Sequence, residues 1–275
     1  MNVKICFIGA GNMAQSLIGG LIASGYDRKN IIATDPTQAQ RNNVTERFGI
    51  HCYDDNAEAI SMADIVVLAV KPQVLESVCL DIQAAIQAKK PLVVSVAAGI
   101  RVNAIDHWLG HENAIVRTMP NTPSLIQAGA TGLFANTHVT EEQKSQAEHI
   151  MRAAGLAVWV DEEKLLDSVT ALSGSGPAYY FLFMEAMEEA GKALGLDEKT
   201  AHILTLQTAI GSAKMALESD QTCANLRRNV TSPNGTTERA IQSFESAEFQ
   251  KIVAHAMQAA YNRAGELADE LGGKA

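Results

Sequence analysis

Gly9, Ala10, Gly11, Asn12, Met13 and Ala14 spell GxGxxA directly after an apolar run and at the start of a helix-forming one. A first glycine there permits a tight turn, a second lets a pyrophosphate come close to the backbone, and a small last residue lets helix lie on strand while helix N–H groups face phosphate. Asp35 closes the second apolar run, about 20 residues further on, where an acid accepts hydrogen bonds from the adenosine ribose. The chemistry indicated is binding of a nicotinamide or flavin dinucleotide. The Asp35 charge opposes the extra phosphate of NADP and favours NADH. In the other arrangement a carboxylate ahead of Pro36 turns outward and leaves Thr34 and Thr37 to meet a 2′-phosphate; the residues leave both open.

Further tracts set small or polar residues where strands would end. LAVKP places a cation, Lys71, and a rigid turn residue, Pro72, after an apolar run; Lys71 reaches a coenzyme or is a solvated loop lysine. Ala97, Ala98 and Gly99 lack the bulk that would keep a nicotinamide ring or its ribose off the backbone. In RTMPNTP, two prolines bracket Asn121 and Thr122 and make a rigid polar loop, suited to a nicotinamide contact or to a plain turn. Ser173 to Pro177 precede an apolar segment and could bind an anion or simply cap a helix. TSPNGTTE, 231–238, stacks hydroxyls on a tight turn before a helix. Amides around Gly235 and Thr236, with the Ser232 and Thr237 hydroxyls, form an anion nest for a small carboxylate, the alternative being a capping box.

The scaffold for these tracts is visible in the pattern. Up to about Val160, short Val- and Ile-rich runs alternate with longer amphipathic stretches, as βαβ units do around a parallel sheet. Strands are expected at 3–9, 31–34, 65–70, 92–96, 114–117 and 157–160, and helices at 163–194, 198–219, 236–244 and 248–271. The fold class is α/β: a Rossmann-like dinucleotide-binding domain, 1–161, followed by an all-α dimerisation and substrate domain, 162–275. AYYFLFM, 178–184, is apolar all round and must be covered on every side. A partner subunit is the economical cover, a wedge between the domains of a monomer the alternative.

Bulk properties narrow the function. Twenty-two Lys and Arg against 31 Asp and Glu give a net charge of −9, which repels nucleic acid and anionic lipid. No apolar run approaches the roughly 20 residues of a bilayer span, and the first residues read as a strand rather than a leader. No nucleic-acid or membrane partner is expected, and the location expected is cytoplasmic. Cys6, Cys52, Cys79 and Cys223 form no CxxC pair and the histidines no HExxH spacing, so no metal is expected.

Taken in order, GAGNMA, AVKP, MPNTP, LSGSGPAYYF and VTSPNGTT resemble the pyrroline-5-carboxylate reductase family across essentially the whole chain, the last two being the distinctive ones. The resemblance implies NAD(P)H-dependent reduction of 1-pyrroline-5-carboxylate, a small imino acid, to L-proline in proline biosynthesis, by hydride transfer to the C=N carbon. It implies coenzyme contacts from Ile8, Gly9, Ala10, Gly11, Asn12, Met13, Asp35, Asn56, Ala69, Val70, Lys71, Pro72, Ala97, Ala98 and Gly99, to which the reading of the proline-bracketed loop adds Asn121. Substrate contacts fall to Ser232, Gly235, Thr236 and Thr237. Thr237 is the expected catalytic residue, orienting the ring nitrogen while solvent supplies the proton.

The resemblance further implies a homodimer whose active site joins the coenzyme domain of one subunit to the helical domain of the other, often gathered into decamers of five dimers. Asn234 stands where many members have glycine, and asparagine also tolerates a left-handed conformation. Asp35 stands where some NADPH-using members have a hydroxyl or a cation, which leaves NADPH against NADH open although the family more often favours NADPH. A hydroxy-acid dehydrogenase of similar design is the enzymatic rival; it needs a lysine or histidine to move a proton, and none stands between Ser173 and Glu189. A dinucleotide-binding protein without turnover is the other.

Overall fold

The computed structural model describes residues 3–272. Its strands are β1 Ile5–Ile8, β2 Ile31–Thr34, β3 His51–Tyr53, β4 Ile65–Leu68, β5 Leu92–Ser95, β6 Ile115–Met119, β7 Gly129–Ala135 and β8 Gly155–Trp159. Its helices are α1 Asn12–Ala23, α2 Gln38–Phe48, α3 Asn56–Ser61, α4 Pro72–Lys89, α5 Val102–Trp108, α6 Glu141–Arg152, α7 Leu165–Val169, α8 Gly176–Ala193, α9 Glu198–Glu218, α10 Cys223–Asn229, α11 Thr236–Ser246 and α12 Phe249–Leu271. One sheet runs β3-β2-β1-β4-β5-β6-β7-β8. The first six strands are parallel, whereas β7 is antiparallel to β6 and parallel to β8. The order reverses between β1 and β4, and in such sheets ligands bind outside the carboxyl ends of the strands at that reversal.

Every residue of β1, β2, β4 and β5 is buried, because helices cover both faces and successive side chains alternate between them. Ile5 and Phe7 point to one face, with Leu17, Ile18 and Leu21 of α1 and Ile150 and Met151 of α6. Cys6 and Ile8 point to the other, with Leu75, Cys79 and Ile82 of α4 and Trp108 of α5.

The expectation missed two strands. β3 has three residues, too few for a pattern, and β7 reads GATGLFA, whose two glycines dilute the β-branched signal. The continuous helix expected over 163–194 is corrected: α7 passes into a π-helical turn, Thr170–Gly174, before α8 begins. Pro177 has no N–H for the carbonyl four residues earlier, and Gly174 and Gly176 weaken helical order. α10 occupies the stretch between 219 and 236 to which no element was assigned.

Packing divides the chain into two compact units, one ending at Ser175 and resuming at Ala260, the other Gly176–Ala259. The division expected at 161/162 follows the disappearance of strands; by packing, α7 lies with the sheet. Leu166 is buried, and both it and Val169 lie against Gly132 of β7. The far part of α12 belongs to the same unit, with Ala264 and Ala268 buried and Leu267 beside Gly99.

In the second unit α8 packs on α9, and Phe183, Phe244 and Phe249 cluster with ring centroids 5.5 to 6.3 Å apart. Much of its apolar surface is open: Tyr180, Phe181 and Leu182 on α8 and Ile203, Leu204 and Ile210 on α9 are all more than half exposed. Among the described residues no helix is long and apolar enough to cross a membrane.

Candidate active site

The GxGxxA turn joins β1 to α1. Gly9 has φ +91°, and a Cβ there would stand 2.8 Å from Val70 Cγ1 and 2.9 Å from the Ala69 carbonyl oxygen, so the turns after β1 and β4 close together only through a glycine. Backbone bonds from Gly9 N to Thr34 O (3.0 Å) and from Ala69 N to Ile8 O (2.8 Å) hold them. Gly11 is the N-cap of α1, which has no side-chain cap and no acidic residue in its first turn, and among the described residues no heavy atom beyond its chain neighbours lies within 4 Å of the Cβ position of Gly11. Ala10 and Ala14 are buried while Gly11 and Asn12 are exposed. An uncapped helix start carries unsatisfied donors at its positive end, and here open space stands over it. A pyrophosphate fits those conditions.

Asp35 turns inward. Its Oδ2 accepts from Ala10 N at 3.2 Å and its Oδ1 from Thr37 N at 2.9 Å. Arg41 Nη1 donates to the carbonyls of Asp35 (2.8 Å) and Pro36 (3.0 Å), and its Nη2 lies 3.6 Å from Asp54, so the turn after β2 is braced by a cation. Thr34 is buried and donates through Oγ1 to Asn56 Oδ1 at 2.6 Å. The arrangement with an outward carboxylate and an available Thr34 is therefore not adopted. Thr37 caps α2 without a side-chain bond.

Lys71 is exposed at the N-cap of α4, with Pro72 in the first turn. Beyond β5, Ala97 is buried, Ala98 exposed, and Gly99 takes φ +73°. Asn121 follows β6 and is almost buried. Its Oδ1 accepts from Ala130 N at 2.9 Å and its Nδ2 donates to Ser173 O at 3.0 Å, so both ends of its amide are already engaged. The residues expected from the first unit thus follow the carboxyl ends of β1, β2, β3, β4, β5 and β6.

Sequence reasoning passed over a buried ion cluster at the same edge. Arg117, 1% exposed, donates to Glu163 Oε1 at 2.9 Å. The same oxygen accepts from Val102 N at 2.8 Å at the start of α5. Asp167, also buried, lies 3.7 Å from Arg101 and 3.9 Å from Arg117. The signal was the arginine itself: a cation in the middle of a buried strand requires a buried counter-charge. Thiol chemistry has little place here, since burial pushes Cys6 and Cys79 up to about 12 and Cys52 up to about 11, which leaves almost no thiolate near neutrality. Among the described residues no group of three or more His, Cys, Asp or Glu could hold a metal ion.

In the second unit, Asn234 takes the left-handed conformation, φ +59°. Gly235 N donates to Ser232 O at 3.0 Å, and a Cβ on Gly235 would stand 2.9 Å from that oxygen. Gly235 caps α11 without a side-chain bond. Glu238 reaches back to accept from Asn234 N at 2.8 Å, so the reciprocal capping box is not made. Ser232 and Thr236 are exposed and Thr237 half-buried. The turn sets hydroxyls beside an uncapped helix start, an arrangement able to receive a small carboxylate.

A doubly wound sheet with a glycine turn after its first strand, followed by a separate helical unit, defines a two-domain oxidoreductase of the dinucleotide-dependent class. Residues 4–99 match the family described as NADP oxidoreductase, coenzyme F420-dependent, and residues 163–267 the family described as pyrroline-5-carboxylate reductase dimerisation. The chain is similar to pyrroline-5-carboxylate reductase of Pseudomonas aeruginosa, 52% identical over 98% of both chains. It is similar in structure to a pyrroline-5-carboxylate reductase from Coxiella burnetii, with TM-score 0.95 and 48% identity over 98% of this chain and 100% of that one. A Plasmodium falciparum pyrroline carboxylate reductase with NADP bound follows at TM-score 0.85 and 31% identity, covering 98% and 99%. The chain belongs to the pyrroline-5-carboxylate reductase family.

Proposed function

We propose that the chain reduces 1-pyrroline-5-carboxylate to L-proline with NADPH or NADH. The observation that carries this reading is the presence on one chain of two uncapped helix starts with matched chemistry: α1 at a glycine turn, fit for a pyrophosphate, and α11 at a hydroxyl-rich turn, fit for a carboxylate. Residues 8–13, Asn56, 69–72 and 97–99 hold the coenzyme, with Asp35 near the adenosine ribose. Bound there, the reduced nicotinamide supplies a hydride to the C=N carbon.

Ser232, Gly235 and Thr236 hold the substrate carboxylate, and the Thr237 hydroxyl orients the ring nitrogen. An alcohol is too weak an acid to protonate that nitrogen at neutral pH, so the proton comes from solvent. A protonated imine is already electrophilic; the protein's main contribution is to fix two reactants, worth up to roughly 7–11 kcal/mol of barrier. Asp35 already accepts from Ala10 and Thr37, which softens its opposition to a 2′-phosphate and lets NADPH serve. Residues 1–161 act as the coenzyme domain, and 162–275 as the dimerisation and substrate domain of a cytoplasmic homodimer, with decamers of five dimers as its larger assembly.

The test is loss of reduced-nicotinamide absorbance with NADPH and, separately, NADH, on addition of pyrroline-5-carboxylate or of a panel of 2-keto acids. Oxidation with the pyrroline alone is the expected result; oxidation only with a keto acid overturns the reading. Thr237→Ala should lower turnover far more than it weakens coenzyme binding.

A further inference from the structure

We infer that Asn121 is a positioning residue for this reaction: it fixes the backbone turn at Ser173 by supplying the donor that Pro177 cannot. For its kinetic consequence the inference rests on the reductase reading; for its geometry it does not.

In an α-helix the carbonyl of Ser173 would accept from the N–H of residue 177, four positions on. Residue 177 is proline and has no N–H. The chain here leaves α-helical geometry, with Ser175 N bonded five residues back to Thr170 O at 2.8 Å, a single π-helical turn of the kind frequent at functional sites. Asn121 Nδ2 takes up the Ser173 carbonyl at 3.0 Å. Its other end is fixed by Ala130 N, so the amide cannot rotate without losing both bonds.

A second contact seats the same turn. A Cβ on Gly174 would stand 2.6 Å from Met119 Cε, so the turn lies directly against the end of β6 and a side chain at 174 would displace the methionine tip. Met119 and Asn121 therefore hold residues 173–174 against the edge at which the coenzyme-binding turns emerge. The serine hydroxyl of residue 173 is spent inside the turn, donating to Val169 O at 3.0 Å, which leaves the Asn121 amide as the tie between the loop and the turn. Asn121 acts through that backbone and not by touching the coenzyme.

The experiment compares the whole protein with Asn121→Ala, Asn121→Asp, Pro177→Ala and the Asn121→Ala/Pro177→Ala pair. Asn121→Asp keeps the acceptor for Ala130 N but sets a carboxylate oxygen against the Ser173 carbonyl, so it is the severer variant, and the Pro177→Ala pair keeps the test readable if it fails to fold. Kd for NADPH is read from coenzyme fluorescence, kcat and KM from imine-dependent oxidation, and Tm from thermal unfolding. Misplacing a turn at a reacting edge is expected to lower kcat about tenfold or more, with coenzyme Kd held within about twofold. Loss of one bond is expected to lower Tm by about 2–4 °C. Alanine at 177 restores an N–H for Ser173 and should return at least half of both losses.

If coenzyme Kd weakens as much as kcat falls, and Pro177→Ala makes no difference, Asn121 is a coenzyme contact and the inference is overturned. Equal Tm losses from Asn121→Ala in the proline and alanine backgrounds overturn it as well. A wild-type protein without imine-dependent turnover would break the reductase reading while leaving the Tm comparison to decide the tie.

Discussion

The sheet unit and the helical unit treat their apolar residues in opposite ways. In the first, β1, β2, β4 and β5 expose nothing, and even Arg117 is enclosed with its own counter-charges. In the second, Leu182 is 68% and Ile210 64% exposed on helices that are themselves regular. The first unit closes a core of its own around those strands and leaves large apolar residues open only outside them, as at Leu156 and Ile126. The second has the helices but not the cover, and leaving so much contiguous apolar surface in water is a mark of an interaction face. The contrast teaches that regular secondary structure and a finished core are separate achievements, and that the family's dimerisation segment, 163–267, supplies the former and borrows the latter.

The contrast can be broken first at Arg117. Arg117→Leu leaves Glu163 without its cation and Asp167 with Arg101 alone, and urea unfolding should show a loss of about 3–5 kcal/mol. Next, Gly9→Ala forces a side chain into a left-handed turn against Val70; the expected cost is about 1–2 kcal/mol, accompanied by weaker coenzyme binding in a fluorescence titration. Leu182→Glu sharpens the comparison from the other side. Sedimentation should show smaller assemblies, while unfolding of the isolated subunit shifts by no more than about 0.5 kcal/mol.

The smallest effect concerns thiols. Cys223 is exposed and should label readily, whereas Cys6 and Cys79 should label only on unfolding. Burial raises these two from 9.0 to about 12 in the folded state. Because the folded protein holds their protons more tightly, the stability linked to them is complete below pH 9 and is lost as pH rises toward 12. Labelling of Cys6 below that window without unfolding would contradict the closed core.

Much of this was legible because the physics was local. β-branched runs between turn signals mark strands buried on both faces, and GAGNMA or TSPNGTT mark turns whose backbone needs dictate their residues. AYYFLFM marks a helix in need of cover, and this chain leaves Tyr180, Phe181 and Leu182 open. Other features depend on partners far along the chain. The glycines of β7 make sense only beside β6 and β8. Pro177 was readable as a helix start, yet its effect on the Ser173 carbonyl shows only once Asn121, 52 positions away, is seen to answer it. Arg117 gave a signal without an address: its counter-charge could be any carboxylate until Glu163 and Asp167 were placed around it.

The return of α12 to the sheet unit bears on how the protein is made. A ribosome finishes the sheet long before it releases Ala264, Leu267 and Ala268, yet these residues pack in that first unit, with Leu267 against the Gly99 turn. Domains generally fold as units during synthesis, N-terminal first. Here the turn after β5 gains its cover from α12 only after the other strands and helices of its unit have been made. The order of translation therefore makes the C-terminal helix the closing step of the N-terminal domain, and a nascent chain halted before it would expose the turn after β5.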